Sequence, residues 1–235
     1  MRELISARLR RRAATVGGEP LLTYYEPVAG VRVELSAVTM LNWVDKTSHL
    51  LSDELDVGTG DTVQLALAQT APGHWVTAVW ELACWQVGAA VALAAQPEPA
   101  LVVTGPDWSQ HAASPVEVLA CSLHPLGLPF PDPLPPPVLD YALEVRGQPD
   151  VYPALRHPEE LPAWSDDERR LSQGDLVAGP APAPVRALVR PDLPWSTAHR
   201  SVITPLLTGG SAVVVAGPVS EDELSRIRRE ERADG

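Results

Sequence analysis

The spacing of apolar positions changes several times along the chain, and each change marks an element. Residues 23–25 and 31–35 are rich in aromatic and β-branched side chains and flank a turn at Pro27-Val28-Ala29-Gly30, which predicts a hairpin. Ser36 can cap a helix, and behind it Ala37, Leu41, Val44, Ser48, Leu51 and Leu55 recur every three or four residues. Gly58 ends that helix and Gly60-Asp61 makes a turn. Residues 62–68 alternate Val63, Leu65 and Leu67 against Gln64, Ala66 and Ala68, as a strand does. Pro72-Gly73 breaks the strand. A helix is expected from about His74 to Val87, with Trp75, Val79, Leu82 and Gln86 aligned and Gly88 as its stop. Residues 89–95 form a short apolar strand. Strand, helix and strand at this spacing make a βαβ unit with parallel pairing and a right-handed crossover.

Beyond it the pattern is less regular. Only residues 96–100 separate this strand from the apolar run 101–104. A parallel crossover takes about a dozen residues, so either a strand is lost from the sheet or residues 101–104 pair differently. Residues 116–123 read as another strand. Residues 125–137 carry Leu128, Phe130 and Leu134 between prolines, which deny helix and inner strand their donors; an extended surface strap is expected. A short helix is expected over 138–146, and loops over 147–185 with one short helix near 166–171. Residues 186–190 form a strand, Ser196 caps a helix running to Thr208, Gly209-Gly210 closes it, and 211–216 is a buried strand. Ser220-x-x-Glu223 is a capping box opening a charged helix. Residues 2–14 suit a short basic helix. The whole, residues 1–235, reads as a single α/β domain: a mainly parallel sheet flanked by helices, with an N-terminal β-hairpin.

Composition narrows the functions. The 235 residues carry 30 acidic against 18 basic side chains, a formal charge of -12, which disfavours nucleic acid and anionic membranes as partners. No apolar run approaches a membrane span. The arginines at 2, 8, 10, 11 and 12 are not followed by the apolar stretch of a secretory signal, so a cytoplasmic protein is expected. Cys84 and Cys121 fall in predicted buried elements and read as small core residues.

The hairpin at 21–36, the amphipathic helix, the turn Val57-Gly58-Thr59-Gly60-Asp61-Thr62-Val63 and the buried strand resemble the opening of AMP-binding, adenylate-forming enzymes of the acyl-CoA synthetase type. Residues 186–230, with a helix ending in leucines, a glycine pair and a valine-rich strand, are similar to the middle of those enzymes. The stretch Leu139-Asp140-Tyr141-Ala142-Leu143-Glu144-Val145-Arg146 resembles a small actinobacterial family distantly related to them. The resemblance implies a cut-down N-terminal subdomain of an acyl-CoA synthetase. It also implies a lysine in a phosphate-gripping loop and a second on a C-terminal domain. This chain has one lysine, Lys46, inside the early helix. At the place matched to the phosphate loop stands Gly174-Asp175-Leu176-Val177-Ala178-Gly179-Pro180-Ala181-Pro182-Ala183-Pro184, without a lysine or a hydroxyl run. The expectation is a non-catalytic relative that binds a small molecule or a protein partner and needs no cofactor. Alternatives are an adenylate-forming enzyme completed by a separate subunit, and a structural subunit of an oligomer.

Other motifs carry little chemistry. Gly58-Thr59-Gly60 precedes a strand, and Gly209-Gly210 closes a helix at the negative end of its dipole, so neither cradles phosphate. Cys121 and His124 lack the further ligands that structural zinc requires, and Asp166-Asp167-Glu168 reads as a solvated helix start, so no metal site is expected. One segment stands out: Pro194-Trp195-Ser196-Thr197-Ala198-His199 follows a strand and opens a helix, where open α/β sheets bind ligands. The resemblance places an acyl pocket there. Trp195 can supply a wall and the amides near Ser196 can meet a carboxylate, with Thr197 and His199 beside them; or Trp195 only packs and Ser196 only caps.

Overall fold

Side chains of two separate sheets meet in one buried cluster, and the carboxyl ends of their strands border a shared cleft. The computed structural model describes residues 2–94, 98–179 and 183–234. The chain runs α1 (Ile5–Val16), β1 (Pro20–Glu26), β2 (Val31–Ser36), α2 (Ala37–His49), β3 (Thr62–Leu65), α3 (Leu67–Thr70), α4 (Trp75–Val87) and β4 (Ala90–Ala92). It continues through β5 (Leu101–Thr104), β6 (Val118–Ala120), β7 (Val138–Asp140), α5 (Tyr141–Glu144), β8 (Pro162–Ser165), β9 (Arg170–Ser172) and β10 (Arg186–Val189), then α6 (Pro194–Ala198), α7 (Thr204–Thr208), β11 (Ser211–Val215) and α8 (Glu221–Glu231).

The larger sheet has the order β7-β6-β5-β3-β4-β8-β9 and is parallel except for β9 against β8. The expected hairpin forms, but it joins the late strands in a sheet of its own, β10-β11-β1-β2, in which β1 and β11 pair in parallel. Leu22, Tyr24, Ala212 and Val214 on one face of this sheet share a core with Val63, Leu65, Val91, Leu101 and Leu119 of the other. Tyr25, Leu188, Val213 and Val215 on the opposite face pack against Ile227 of α8. Above them Glu231 accepts from the Tyr25 hydroxyl (2.6 Å), from Arg32 (3.0 Å) and from Arg186. The outer edge of β10 is occupied as well: Asp234 donates to the Arg186 carbonyl (2.8 Å) and accepts from the Leu188 amide (2.7 Å).

Helix α4 is buried on every side, including Thr77, Glu81 and Gln86. The Gln86 amide donates to Asp45 (2.8 Å) and Ser48 (3.0 Å) of α2, and Arg10 of α1 bonds both Asp45 and Gln86, so a polar knot ties three helices. Cys84 and Cys121 are free and buried, and burial pushes both thiols up. No helix among the described residues is long and apolar enough to cross a membrane.

Several expectations are corrected. Residues 101–104 stay in the sheet, parallel to β3 on the side opposite β4. The short link suffices because β4 ends level with Gln64 and β5 begins level with Val63. The chain therefore moves sideways by two strand spacings, about 10 Å, and back by one residue; Ala95, Gln96 and Pro97 of this link lie outside the described residues. Strand β3 stops at Leu65, and Leu67–Thr70 is a helical turn; an apolar run alone does not distinguish the two. Residues 138–140 are a strand, with Asp140 capping a one-turn helix behind it through the Ala142 amide (2.9 Å). Residues 166–169 are the β8–β9 turn and not a helix, because the Asp166 carboxylate accepts from the Glu168 and Arg169 amides (2.9 and 2.7 Å) and bends the backbone back. The proline strap lies on its own sheet: Phe130 and Leu134 pack against Val102, Val118, Ala120 and Val138, while Leu126 and Leu128 are exposed.

Candidate functional site

Parallel strands end together, so the segments leaving them gather at one edge. Beyond the ends of β1, β3, β10 and β11, a cleft of ≈ 610 Å³ is lined by residues including Tyr24, Glu26, Gln69, Thr70, His74, Leu123, Pro191 and Asp192. The turn Pro72-Gly73 brings the two sheets into contact. A Cβ on Gly73 would stand 2.3 Å from the Pro191 ring and 2.9 Å from Val214, so only glycine fits there.

His74 lines the cleft from a buried position. It is the N-cap of α4, its Nδ1 accepting from the Val76 amide (3.2 Å). Burial lowers its pKa to about 4, and a hydrogen bond to the Leu123 main chain offsets this only in part, so the ring is neutral near pH 7. Its edge meets the Tyr24 ring with centroids 4.9 Å apart. Leu123 holds a left-handed backbone (φ 59°), uncommon for a branched side chain. The Tyr24 hydroxyl lies 3.5 Å from Glu26; burial first, then that carboxylate, raises the phenol.

A second hollow of ≈ 280 Å³ adjoins the cleft along Gln69. Its walls are Leu93, Ala94, Leu193, Pro194, Trp195 and the β8–β9 turn. Of the four residues singled out from the sequence, Trp195 alone lines it. Its ring is half-buried, 5.2 Å from Trp164 and 5.8 Å from His199. Ser196 does not cap the helix: Leu193 is the N-cap, with Pro194 in the first turn. Ser196 and Thr197 instead donate to the Asp192 carboxylate (3.2 and 3.3 Å), and the Thr197 hydroxyl accepts from the Asp192 amide. An anion therefore already stands at this helix start, which leaves it ill suited to meet a second carboxylate. His199 lies beside Trp195 with its side chain exposed, and partial desolvation of the ring lowers its pKa. The helix runs on through a wide turn, His199–Ile203, that precedes Thr204-Pro205; a looser turn accommodates a proline that cannot donate to the turn before it.

The remaining candidates are occupied elsewhere. Lys46 is paired with Asp150 (2.7 Å) and donates to the Gln148 carbonyl. In the segment matched to the phosphate loop, Asp175–Val177 is a short helical turn tied to Ser172, and Pro180, Ala181 and Pro182 lie outside the described residues. No cluster of three or more His, Cys, Asp or Glu that could hold a metal occurs among the described residues. Sequence reasoning missed Tyr24, Glu26, Thr70 and Asp192, and took His74 only as a helix start. The proline–glycine break at 72–73 just before that histidine was the available signal.

No family model matches the chain. It is 35% identical over 212 residues to a TIGR03089 family protein of Mycobacterium tuberculosis, covering 88% of this chain and 82% of that one. Among solved structures it is similar to an acyl-CoA synthetase of Brucella canis, with a TM-score of 0.74 and 15% identity over 97% of this chain. It is likewise similar to the coronafacic acid ligase of Pectobacterium brasiliense, with a TM-score of 0.66 and 12% identity over 96% of the chain. It spans just under half of either solved chain, 46% and 47%.

Proposed function

Because the chain belongs to the TIGR03089 family and has the fold of the N-terminal subdomain of acyl-CoA synthetases, we infer that it is a ligand-binding relative that holds a small molecule in the cleft at its strand ends without adenylating it. The observation that carries this reading is the charge of the cleft. Glu26 and Asp192 line it, and no arginine or lysine is among its lining residues. A triphosphate brought there meets like charge, about 4 kcal/mol for each pair of unit charges 4 Å apart at an effective dielectric of 20. Adenylate chemistry relies on the opposite arrangement, with donors and cations aimed at the phosphoryl oxygens. The segment 174–184 offers neither lysine nor hydroxyl to supply it. The ligand class that suits the walls is neutral or cationic and carries an apolar or aromatic part for Tyr24 and Trp195.

Thermal-shift screening tests this with amines, polyols and amides against carboxylic acids and ATP. A ligand at a hundred times its dissociation constant adds about 2.7 kcal/mol of stability. Glu26→Gln is expected to weaken a cationic ligand, and Trp195→Ala to abolish the shift if the ligand reaches the second hollow. A carboxylate-dependent ATP–pyrophosphate exchange by the pure protein overturns the reading.

One observation favours a second reading: the fold covers under half of the synthetases it resembles. A separate polypeptide supplying the rest would make an adenylate-forming enzyme of two chains. Exchange activity that appears only with a co-purified adenylation-domain fragment would establish that case.

A further inference from the structure

At the opposite, amino-terminal end of the smaller sheet, α1 meets the close of α7. A hollow of ≈ 270 Å³ lies between them, lined on one side by Arg8, Arg11, Arg12 and Thr15 and on the other by residues 206–209. The spacing of the α1 residues places them on one face of the helix. The concentration of charge is unlike the rest of the chain: residues 2–12 hold five of the 18 basic residues and one of the 30 acidic ones.

The three arginines are not equivalent. Arg12 is buried. One terminal nitrogen donates to the carbonyls of Pro205 (3.2 Å) and Gly210, the other to Pro20 (3.2 Å), while Nε has no partner. Its terminal nitrogens are spent on main chain, so it fixes the end of α7 and leaves a fixed positive charge behind the wall, with Nε buried and unpartnered. Arg8 and Arg11 reach outward and are lightly held. Arg8 Nε donates to the Glu3 carbonyl (3.0 Å), and Arg11 pairs with the Glu3 carboxylate (2.9 Å). Neither contact uses the full fork of five donors that a guanidinium presents.

We propose that this hollow is a binding site for a small phosphorylated molecule, with Arg8 and Arg11 gripping the phosphoryl oxygens. Two forks a turn apart offer more donors than one carboxylate can accept, whereas a dianionic phosphoryl group presents three oxygens to them. Glu3 holds Arg11 in the free protein and is the group a ligand displaces, so it acts as a built-in competitor. The apolar side chains of Val16, Leu206 and Leu207 flank the hollow and suit a short carbon body. The volume falls below that of pockets for drug-sized ligands, which argues against a whole nucleotide.

The test is calorimetric titration of inorganic pyrophosphate into the full chain in about 0.15 M salt, where surface attraction beyond a Debye length of about 8 Å is screened. Saturable binding is expected, weakened at least tenfold by Arg11→Gln and tightened several-fold by Glu3→Gln. Acetate should not compete, and Glu26→Gln in the cleft should leave the titration unchanged. Arg8 and Arg11 are partly or fully exposed, so their variants should retain the wild-type unfolding curve, which is recorded alongside. No saturable heat, or binding that the Arg8→Gln/Arg11→Gln double variant leaves intact, overturns the proposal.

Discussion

Glu81 lies in the middle of a helix that is buried on every side, and its Oε1 has no hydrogen-bond partner among the described residues. Burial raises its pKa well above the usual carboxylate range. Below about pH 4.5 both folded and unfolded chains hold this proton. Above that, the unfolded chain releases it and the folded chain keeps it, so this residue's contribution declines as pH rises toward the folded pKa. Glu81→Gln keeps the shape and removes the titration. Its stability relative to wild type should grow by about 1.4 kcal/mol per pH unit above about pH 4.5, until the folded pKa is reached. Urea unfolding of both proteins at pH 5, 6 and 7 measures this; a constant difference would refute it. Little of this was legible in the sequence. An acid one residue from Trp80 normally faces water, and nothing beside it in the sequence reveals that its side of the helix is covered. Ser196 misled for a comparable reason: serine suits a cap, but Pro194 had already fixed the first turn.

The β8–β9 hairpin shows how one side chain decides an element. The Asp166 carboxylate accepts from the Trp164 indole (2.8 Å), from two backbone amides and from Arg169 (3.2 Å). Burial alone would raise its pKa, but these hydrogen bonds outweigh burial and hold it below the usual value. The stabilisation is therefore present above the unfolded pKa, near 3.9, and is lost as pH falls through the folded one. Asp166→Ala should cost about 1–2 kcal/mol at neutral pH, as loss of a capping carboxylate does. The gap to wild type should narrow in denaturant melts below about pH 4; an undiminished gap at pH 3 would show that the charge is not what holds the turn. Elements with their own local signal were legible: the 27–30 turn, the Gly88 and Gly209 stops with φ of 84° and 81°, and the Ser220 cap, whose hydroxyl accepts from the Glu223 amide at 3.2 Å while the Glu223 carboxylate turns to Arg226. Asp166-Asp167-Glu168 has the composition of a helix start and of a tight turn alike, and only the pairing of Trp164 with Leu171 decides between them.

At the scale of the molecule, the fold class could be read from the strand–helix–strand spacing, but not the division into two sheets. Leu22 pairs with Ala212 across most of the chain, and the cleft draws Tyr24, His74 and Asp192 from segments far apart in sequence. Periodicity is local and does not encode such partners. The same long reach governs the border of the smaller sheet. Asp234 supplies two backbone hydrogen bonds to β10, and Arg200 donates to the Leu188 carbonyl (3.3 Å) on the same strand. A sheet border with open amides and carbonyls is a template on which another copy can add its own strand. Asp234 thus covers part of this border. Removing residues 234–235 should leave the circular dichroism spectrum unchanged while light scattering rises with concentration, and scattering equal to that of the intact chain would show that Asp234 does not guard the border. By taking up the Leu188 amide and the Arg186 carbonyl, Asp234 then acts as a stopper against strand addition at this border.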